Sequence, residues 1–531
     1  MKIKSIRNGF ANNSSSAHSI VFLGSTKVKN NSNGSDYGWD HFTLSDKEDK
    51  KKYLLMTLLR NDFVDFIPRT PLVEKTNWIN PSDMDTIMEK HNLTNDEFYE
   101  SKYGARLEYN KELIDKMKGD YLSEEYNDIF SKEFIEETIL EGGYIDHQSV
   151  INLPKDINGV VNNKFVKKFF SVLINNNFAI LGGNDNGGDN HPSKEYSTSS
   201  KDSLITDAIK VLNIIYWDST CVYDEKNNDF ILQSSRKGDK IRVSFDSKLK
   251  TNKSSIPELV DLKITDNCNY GCTFCYQSST KEGKHAEIEN IKKAISILHN
   301  SEAMEIAIGG GEPTTHPDLL LILKEIRAKN MLACFTTKNF KLHEHPDFKE
   351  ILETANSIAF SCNSISEVEK VNEIRIAARN IGIYAGGRDV VFYVQMIPEL
   401  MSDKMFNESL EYIKDQMYGV PVTLLGYKDF GFGERYDPKN RFKTSGWIDN
   451  IKHHSMEGDM QFGIDSVLVS KWETELIEKG VDPMALVGKE GKFSCYFDAV
   501  KMKIHKSSFS KEPGIQLTGE EKDIKKEFST F

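Results

Sequence analysis

From residue 259 onward the chain alternates short runs of strand character with longer runs of helical period. LVDLKIT (259–265) predicts a strand, and AEIENIKKAISILHN (286–300) a helix with Ile288, Ile291, Ile295 and Leu298 on one face. MEIAI (304–308) predicts a second strand, and PDLLLILKEIRAK (317–329) a second helix opened by Pro317 in its first turn. MLACFTT, SIAFS, VVFYVQM and PVTLL predict four more strands, with helices at DFKEILETA, from residue 366, and at FNESLEYIKDQM between them. Ser366 and Glu369 have the spacing of a capping box at the start of the fourth helix. This succession implies an α/β fold with a parallel sheet and helices outside it, curved into a partial (β/α)6 barrel. In such barrels chemistry gathers at the C-terminal ends of the strands.

The flanks read differently. Residues 1–40 are rich in Asn, Ser and Gly, with the run Asn13-Ser14-Ser15-Ser16, and predict a flexible segment. From 41 to 250 an accessory α+β domain is expected. Helical periods run through KKYLLMTLLRNDFVDF and NNKFVKKFFSVLINN, a polar loop covers 182–193, and short strands stand at VLNIIYW, NDFILQ and KIRVSF. DSKLKTNKSSIPE (246–258) reads as a linker to the barrel at 259–427. Residues 428–531 break the alternation and are expected to form a separate C-terminal extension.

Composition narrows the class. The 531 residues are 38% hydrophobic and 28% charged, which suits a globular protein of two or three domains. No run of 18 apolar residues is present, so no membrane span is expected, and the basic N-terminus lacks the apolar core of a secretory signal. A cytoplasmic protein is the expectation. A net charge of −12 disfavours non-specific nucleic-acid binding.

Three of the seven cysteines fall within eight residues, directly after the first barrel strand: Cys268, Cys272 and Cys275. Short loops of thiolates hold iron–sulfur clusters, and three thiolates on a cubane leave one iron open for a ligand. Structural zinc would need a fourth ligand, for which no second C-x-x-C or nearby His pair exists. A thioredoxin-like C-x-x-C would leave Cys268 unexplained, and covalent haem attachment would need His where Tyr276 stands. Of the scattered cysteines, Cys334 and Cys495 read as buried packing, whereas Cys362, closing the fourth strand, could face the site at the strand ends as a hydrogen donor.

C-N-Y-G-C-T-F-C-Y resembles the cluster loop of the radical S-adenosylmethionine (SAM) superfamily. The second strand ends in Gly309-Gly310-Gly311-Glu312-Pro313, similar to that family's G-G-E-P motif and 34 residues after Cys275. The resemblance covers about 259–427. It implies one 4Fe-4S cluster on the three cysteines and SAM as cofactor, with the Gly309–Pro313 backbone and Glu312 on the SAM amino group. It extends to Thr336 and Thr337 near the ribose, Ser361 and Asn363 on ribose or carboxylate, and Arg388 on the carboxylate. Gln395 then faces the pocket, and the Tyr276 backbone contacts adenine. Physically, glycine lets a backbone approach a ligand closely, and a carboxylate pairs with an ammonium.

The implied activity is reductive SAM cleavage followed by hydrogen abstraction, with a low-potential donor such as flavodoxin or ferredoxin. Two substrate classes stay open, a peptide or protein and a nucleotide or small metabolite. A non-catalytic SAM-binding sensor is a third reading. Cys495 alone after residue 428 gives no expectation of a second cluster.

Overall fold

The structure is a computed structural model. It describes residues 2–7, 19–22, 36–37, 42–62, 126–141, 144–145, 151–174, 178–182, 211, 219–235, 238–245, 251–385, 389–437, 439, 441–442, 445–456, 460–481 and 490–531. The expected loop at 182–193 apart from Gly182, which ends a strand, the run Asn13–Ser16, Arg388, and VLNIIYW apart from Val211 lie outside these residues.

The chain divides into two compact units. One comprises Asn13–Pro154 and Val161–Tyr216; the other gathers Lys2–Asn12, Lys155–Val160 and Trp217–Phe531. The first unit holds a three-stranded antiparallel sheet of Ser19–Phe22, Phe178–Gly182 and Phe42–Leu44. Its helix Asn163–Leu173 is capped by Asn162 and buries Phe165, Val166, Phe169, Phe170 and Leu173 on one face, as the helical period requires.

In the second unit, β1 (Lys2–Arg7), β2 (Ser219–Asp224), β3 (Asp229–Ser234) and β4 (Lys240–Ser244) form an antiparallel sheet in the order β1-β4-β3-β2. Two boundaries read from the sequence therefore fall elsewhere. Lys2–Arg7 is a strand paired with Lys240–Ser244, and the sheet at 219–244 clusters with the barrel rather than with residues 41–216. The stretch expected as a linker is anchored too: Thr251, Ser254, Ile256 and Glu258 are buried. Arg242 holds Asp224 at 2.8 Å, Asp229 at 3.2 Å and Ser254 Oγ at 3.0 Å, and also pairs with Glu258. Breaking such a buried charge network by removing one member is strongly destabilising.

The barrel strands follow: β5 (Leu259–Thr265), β6 (Glu305–Gly310), β7 (Leu332–Thr337), β8 (Ser357–Ser361), β9 (Val391–Met396), β10 (Val422–Leu424) and β11 (Phe462–Ile464). All pair in parallel, with helices α1 (Ile288–Asn300), α2 (Leu319–Ala328), α3 (Phe348–Thr354), α4 (Ile365–Asn380) and α5 (Asp403–Gln416) between them. The C-terminal residues are not separate. β11 extends one edge of the sheet, and β12 (Ser494–Asp498) pairs in parallel with β5 at the other, followed by antiparallel β13 (Lys503–His505) and β14 (Ile515–Gln516). Helix α4 begins at Ile365, one residue earlier than read, and its cap is Ser364 rather than Ser366: Ser364 Oγ accepts from Glu367 N–H at 3.3 Å.

Strand alternation sorts the two faces of this sheet. Val260, Leu262, Ile264, Ile306, Ile308, Ala333, Phe335, Ile358, Phe360, Phe392 and Val394 join the helices in one hydrophobic core. The opposite residues form the inner face: Asp261 and Lys263, Glu305, Ala307 and Gly309, Cys334 and Thr336, Ala359 and Ser361, Tyr393 and Gln395. The small antiparallel sheet sits at the N-terminal ends of these strands. Gln233 of β3 donates to Glu305 at 2.9 Å, Asn356 donates to the Ser235 carbonyl at 2.9 Å, and Val222, Ile231, Ile256 and Met304 pack together. It closes the floor of the partial barrel.

Candidate active site

At the opposite, C-terminal end, β5 runs into the cysteine loop. Thr265 Oγ1 meets His285 Nδ1 at 2.8 Å and accepts from Asn267 N–H at 2.9 Å, so the loop is turned at its first residues. It then folds back on itself: Asp266 N–H donates to the Lys284 carbonyl at 2.8 Å, Cys268 N–H to Thr280 at 2.9 Å, and Asn267 Nδ2 to Lys281 at 2.6 Å. A Cβ at Gly283 would overlap the Asp266 carbonyl, so only glycine fits the return strand.

The glycine motif docks on this loop. Gly311 N–H donates to the Thr265 carbonyl at 2.7 Å, and Glu312 N–H to the Asn267 carbonyl at 2.8 Å. Gly310 has φ +111°, and Cβ atoms at Gly310 and Gly311 would overlap the carbonyls of Thr265 and Asn267. Those two glycines are spent on backbone against backbone, and only Gly309 has open space where its Cβ would be. Of the three glycines expected to face a ligand, Gly309 is the one with room beside it.

Glu312 is 3% exposed and accepts four hydrogen bonds: Thr314 N–H at 3.1 Å, Thr314 Oγ1 at 2.8 Å, Thr337 Oγ1 at 2.5 Å and Lys338 N–H at 2.8 Å. Burial pushes its pKa up, against the lowering effect of those donors. Thr337 thus holds Glu312, and its hydroxyl also accepts from Asn339 N–H at 2.9 Å. Pro313 is buried at the start of the short turn Pro313–Thr315. Thr336, one residue earlier, is the threonine of the pair on the inner face. Ser361 and Gln395 lie in one register row there with Thr423 and Gly463, near the mouth. Asn363 instead belongs to the cap of α4, where its N–H donates to Glu367 at 2.6 Å.

Cys268, Cys272 and Cys275 are half-buried and free. Cys268 and Cys272 open with Asn269, Lys281, Phe432 and Arg435 on a cavity of about 490 Å³; Cys275 is not in its lining. Among the described residues no three His, Cys, Asp or Glu side chains are drawn together at metal-binding spacing. Burial pushes the Cys268 and Cys272 thiols up, while Lys338 pulls Cys272 down. The donor set nevertheless fits an iron–sulfur cluster. It consists of three soft, unoxidised thiols on one loop turned by Gly271 at φ +60°, with a cavity beside them.

The segment after β10 covers the loop. Phe432 N–H donates to the Cys275 carbonyl at 2.9 Å, and a Cβ at Gly431 would come within 2.5 Å of the Tyr276 carbonyl. The Tyr276 backbone, expected to contact adenine, has its carbonyl packed against Gly431. Lys428 lies 4.7 Å from the Tyr276 ring centre and 3.8 Å from Asp465. Burial alone would lower its pKa, but Tyr276, Asp465, Asp261 and Glu490 outweigh it and the ammonium is held charged.

Two cysteine assignments are reversed. Cys362 is 0% exposed and sits in the hydrophobic core, because it shares the outward parity of Phe360, so it faces no ligand. Cys334 lies on the inner face, its thiol 3.8 Å from Glu305 Oε1. Also missed were Asp261, Glu305 and Lys428. The alternation in LVDLKIT, with Asp and Lys between apolar residues, was the signal for the first.

Residues 262–382 match the family model described as the radical SAM superfamily. That stretch is similar to the domain of this superfamily, a class of enzymes that use a 4Fe-4S cluster and S-adenosylmethionine. It is 25% identical over 215 residues to the GTP 3',8-cyclase of Haemophilus influenzae (strain PittEE), covering 36% of this chain and 63% of that one. It is 28% identical to the 7,8-dihydro-6-hydroxymethylpterin dimethyltransferase of Methanocaldococcus jannaschii, over 29% of this chain and 32% of that one. The chain thus spans less than two thirds of the curated relatives it matches. Among solved structures, Streptococcus suis SuiB bound to S-adenosylmethionine aligns at 13% identity and a TM-score of 0.36, over 50% of this chain and 64% of that chain. No helix of the described residues is long and apolar enough to cross a membrane.

Proposed function

We propose that this chain cleaves S-adenosylmethionine reductively and takes a hydrogen atom from a peptide or protein substrate held on the inner face. Cys268, Cys272 and Cys275 hold the cluster in this reading, and the open space at Gly309 admits the amino-acid end of SAM. The bound pair supplies one-electron chemistry that ends in hydrogen abstraction. Glu312 positions the rim by gathering Thr314, Thr337 and Lys338, and the 428–435 segment braces the loop at Cys275 and Tyr276. A cytoplasmic flavodoxin or ferredoxin is the fitting electron source.

The charge of the inner face carries the substrate reading. Among the described residues its cations are already matched: Lys263 pairs with Asp266 and with Asp498 at 3.2 Å, and Lys428 faces Asp465, Asp261 and Glu490. Glu305 adds a further acid at the floor. Such a surface repels a polyphosphate and suits a neutral or cationic substrate. The likeness to GTP 3',8-cyclases supports a second reading, a nucleotide substrate. The test is 5'-deoxyadenosine release by reduced, reconstituted protein with GTP or with a mixed peptide library. Stimulation by peptides and none by GTP is expected. Stimulation by GTP alone overturns the peptide reading.

A further inference from the structure

The floor of the barrel contains acceptors in search of a donor. Gln233 is 1% exposed; its amide nitrogen donates to Glu305 Oε2 at 2.9 Å, and its amide oxygen has no hydrogen-bond partner. Swapping the amide would turn oxygen toward carboxylate, so the orientation is dictated by Glu305. A buried amide oxygen left unpaired costs about 1–3 kcal/mol, which is a reason to look for what completes it.

Asp261 stands beside this corner. Its register partner on β6 is Ala307, two residues above Glu305, and Cys334 lies across from Ala307 with its thiol toward Glu305. Among the described residues no hydrogen bond and no ion pair reaches the Asp261 carboxylate. Glu305 and Glu490 repel its charge, and Lys428 only partly offsets them. Above the floor the inner face of β6 carries only Ala307 and Gly309, and nothing lies within 4 Å of where a Gly309 Cβ would be.

We propose that Asp261, Glu305 and Gln233 form a subsite for the ammonium or guanidinium group of a basic substrate side chain. A cation with several N–H donors placed there would pair with Asp261, answer the repulsion from Glu305 and Glu490, and satisfy the Gln233 oxygen in one step. A hydroxyl or an aliphatic side chain would do only part of this. The subsite rests on the proposed peptide reading but is tested apart from it, because its binding needs no turnover.

The experiment uses the full chain, anaerobically reconstituted with iron and sulfide and supplied with SAM. Binding of acetyl-lysine amide and acetyl-arginine amide is titrated by calorimetry against the uncharged acetyl-norleucine amide and acetyl-citrulline amide, with free putrescine as a separate arm. Saturable binding of the charged pair is expected, at least ten-fold tighter than their uncharged counterparts. Putrescine should bind more weakly than acetyl-lysine amide; tighter binding would assign the subsite to a free amine and overturn the side-chain assignment. Asp261→Asn and Gln233→Leu should each weaken the charged probes about ten-fold while iron content and SAM binding stay at wild-type levels. Ala307→Phe, which sets a ring on the inner face above the floor, should block the probes without touching a charge, and serves if either polar variant fails to fold. Equal binding of charged and uncharged probes, no saturable binding to wild type, or unchanged binding in folded variants would overturn the subsite. Loss of SAM cleavage with probe binding intact would instead strike the proposed activity alone.

Discussion

The two ends of the barrel handle buried polarity in opposite ways. At the rim, Glu312 accepts four hydrogen bonds and two glycines lie flat against the carbonyls of the cysteine loop. At the floor, the Gln233 oxygen is unpaired, and Asp261 is repelled by Glu490 and Glu305 with only partial relief from Lys428. A saturated site is rigid before its ligand arrives, whereas an unsaturated one is completed by what it binds. The rim is thus built as a fixed seat for cofactors, and the floor as the place where a substrate is chosen.

The largest effect should come from disturbing the rim's backbone fit. Gly311→Ala forces a Cβ into the Asn267 carbonyl, which is main chain and cannot swing aside. The cysteine loop must move, and iron bound after reconstitution should fall to a small fraction of wild type. Gly309→Ala meets open space and should retain its iron, so the pair of variants measured side by side isolates the packing role.

Next in size is Glu312→Ala. It leaves the Thr314 and Thr337 hydroxyls and two backbone N–H groups without their acceptor, at a cost of about 2–4 kcal/mol. Thermal melts should show the loss, and Glu312→Gln, which keeps one acceptor oxygen, should recover part of it. A Glu312→Ala melt equal to wild type would remove the claim that this carboxylate organises the rim.

At the floor the sign reverses. Burial, with Glu490 and Glu305, raises the Asp261 pKa from 3.8 to about 7. The folded state then holds a proton that the unfolded state releases, so stability falls as pH climbs from about 4 to 7 and the full penalty remains above that. Asp261→Asn removes the titration. It should match wild type near pH 4 and be more stable at pH 8, by at most about 4 kcal/mol. Melting curves at both pH values decide it; a variant less stable at pH 8 would mean that Asp261 has a partner the rim-and-floor contrast denies it.

Much of the rim was legible because its signals are local. The cysteine spacing, the glycine run and the strand preceding each stand in short windows, and the apolar period of 286–300 named the buried face of α1. What escaped was set by distant chain. Glu312 reads as a free carboxylate until Thr337 and Lys338, 25 and 26 residues on, are seen to hold it. β12 joins β5 from more than 200 residues away, and β1 joins β4 from the N-terminus; no local pattern specifies such pairings. The Cys334 and Cys362 assignments failed for a simpler reason. Parity was available in MLACFTT and SIAFSCN, where Ala333, Phe335 and Phe360 mark the core side, and it puts Cys334 inward and Cys362 outward.

The central claim is that Cys268, Cys272 and Cys275 hold a redox cluster at which SAM is cleaved. Iron content and 5'-deoxyadenosine release should be measured on the same anaerobic, dithionite-reduced samples of wild type and of the triple variant with all three cysteines changed to Ala. Wild type should carry about four irons per chain and release 5'-deoxyadenosine and methionine slowly without added substrate, while the triple variant carries almost no iron and releases none. Full iron in the triple variant, or an iron-replete wild type that binds SAM and never cleaves it, would contradict the account.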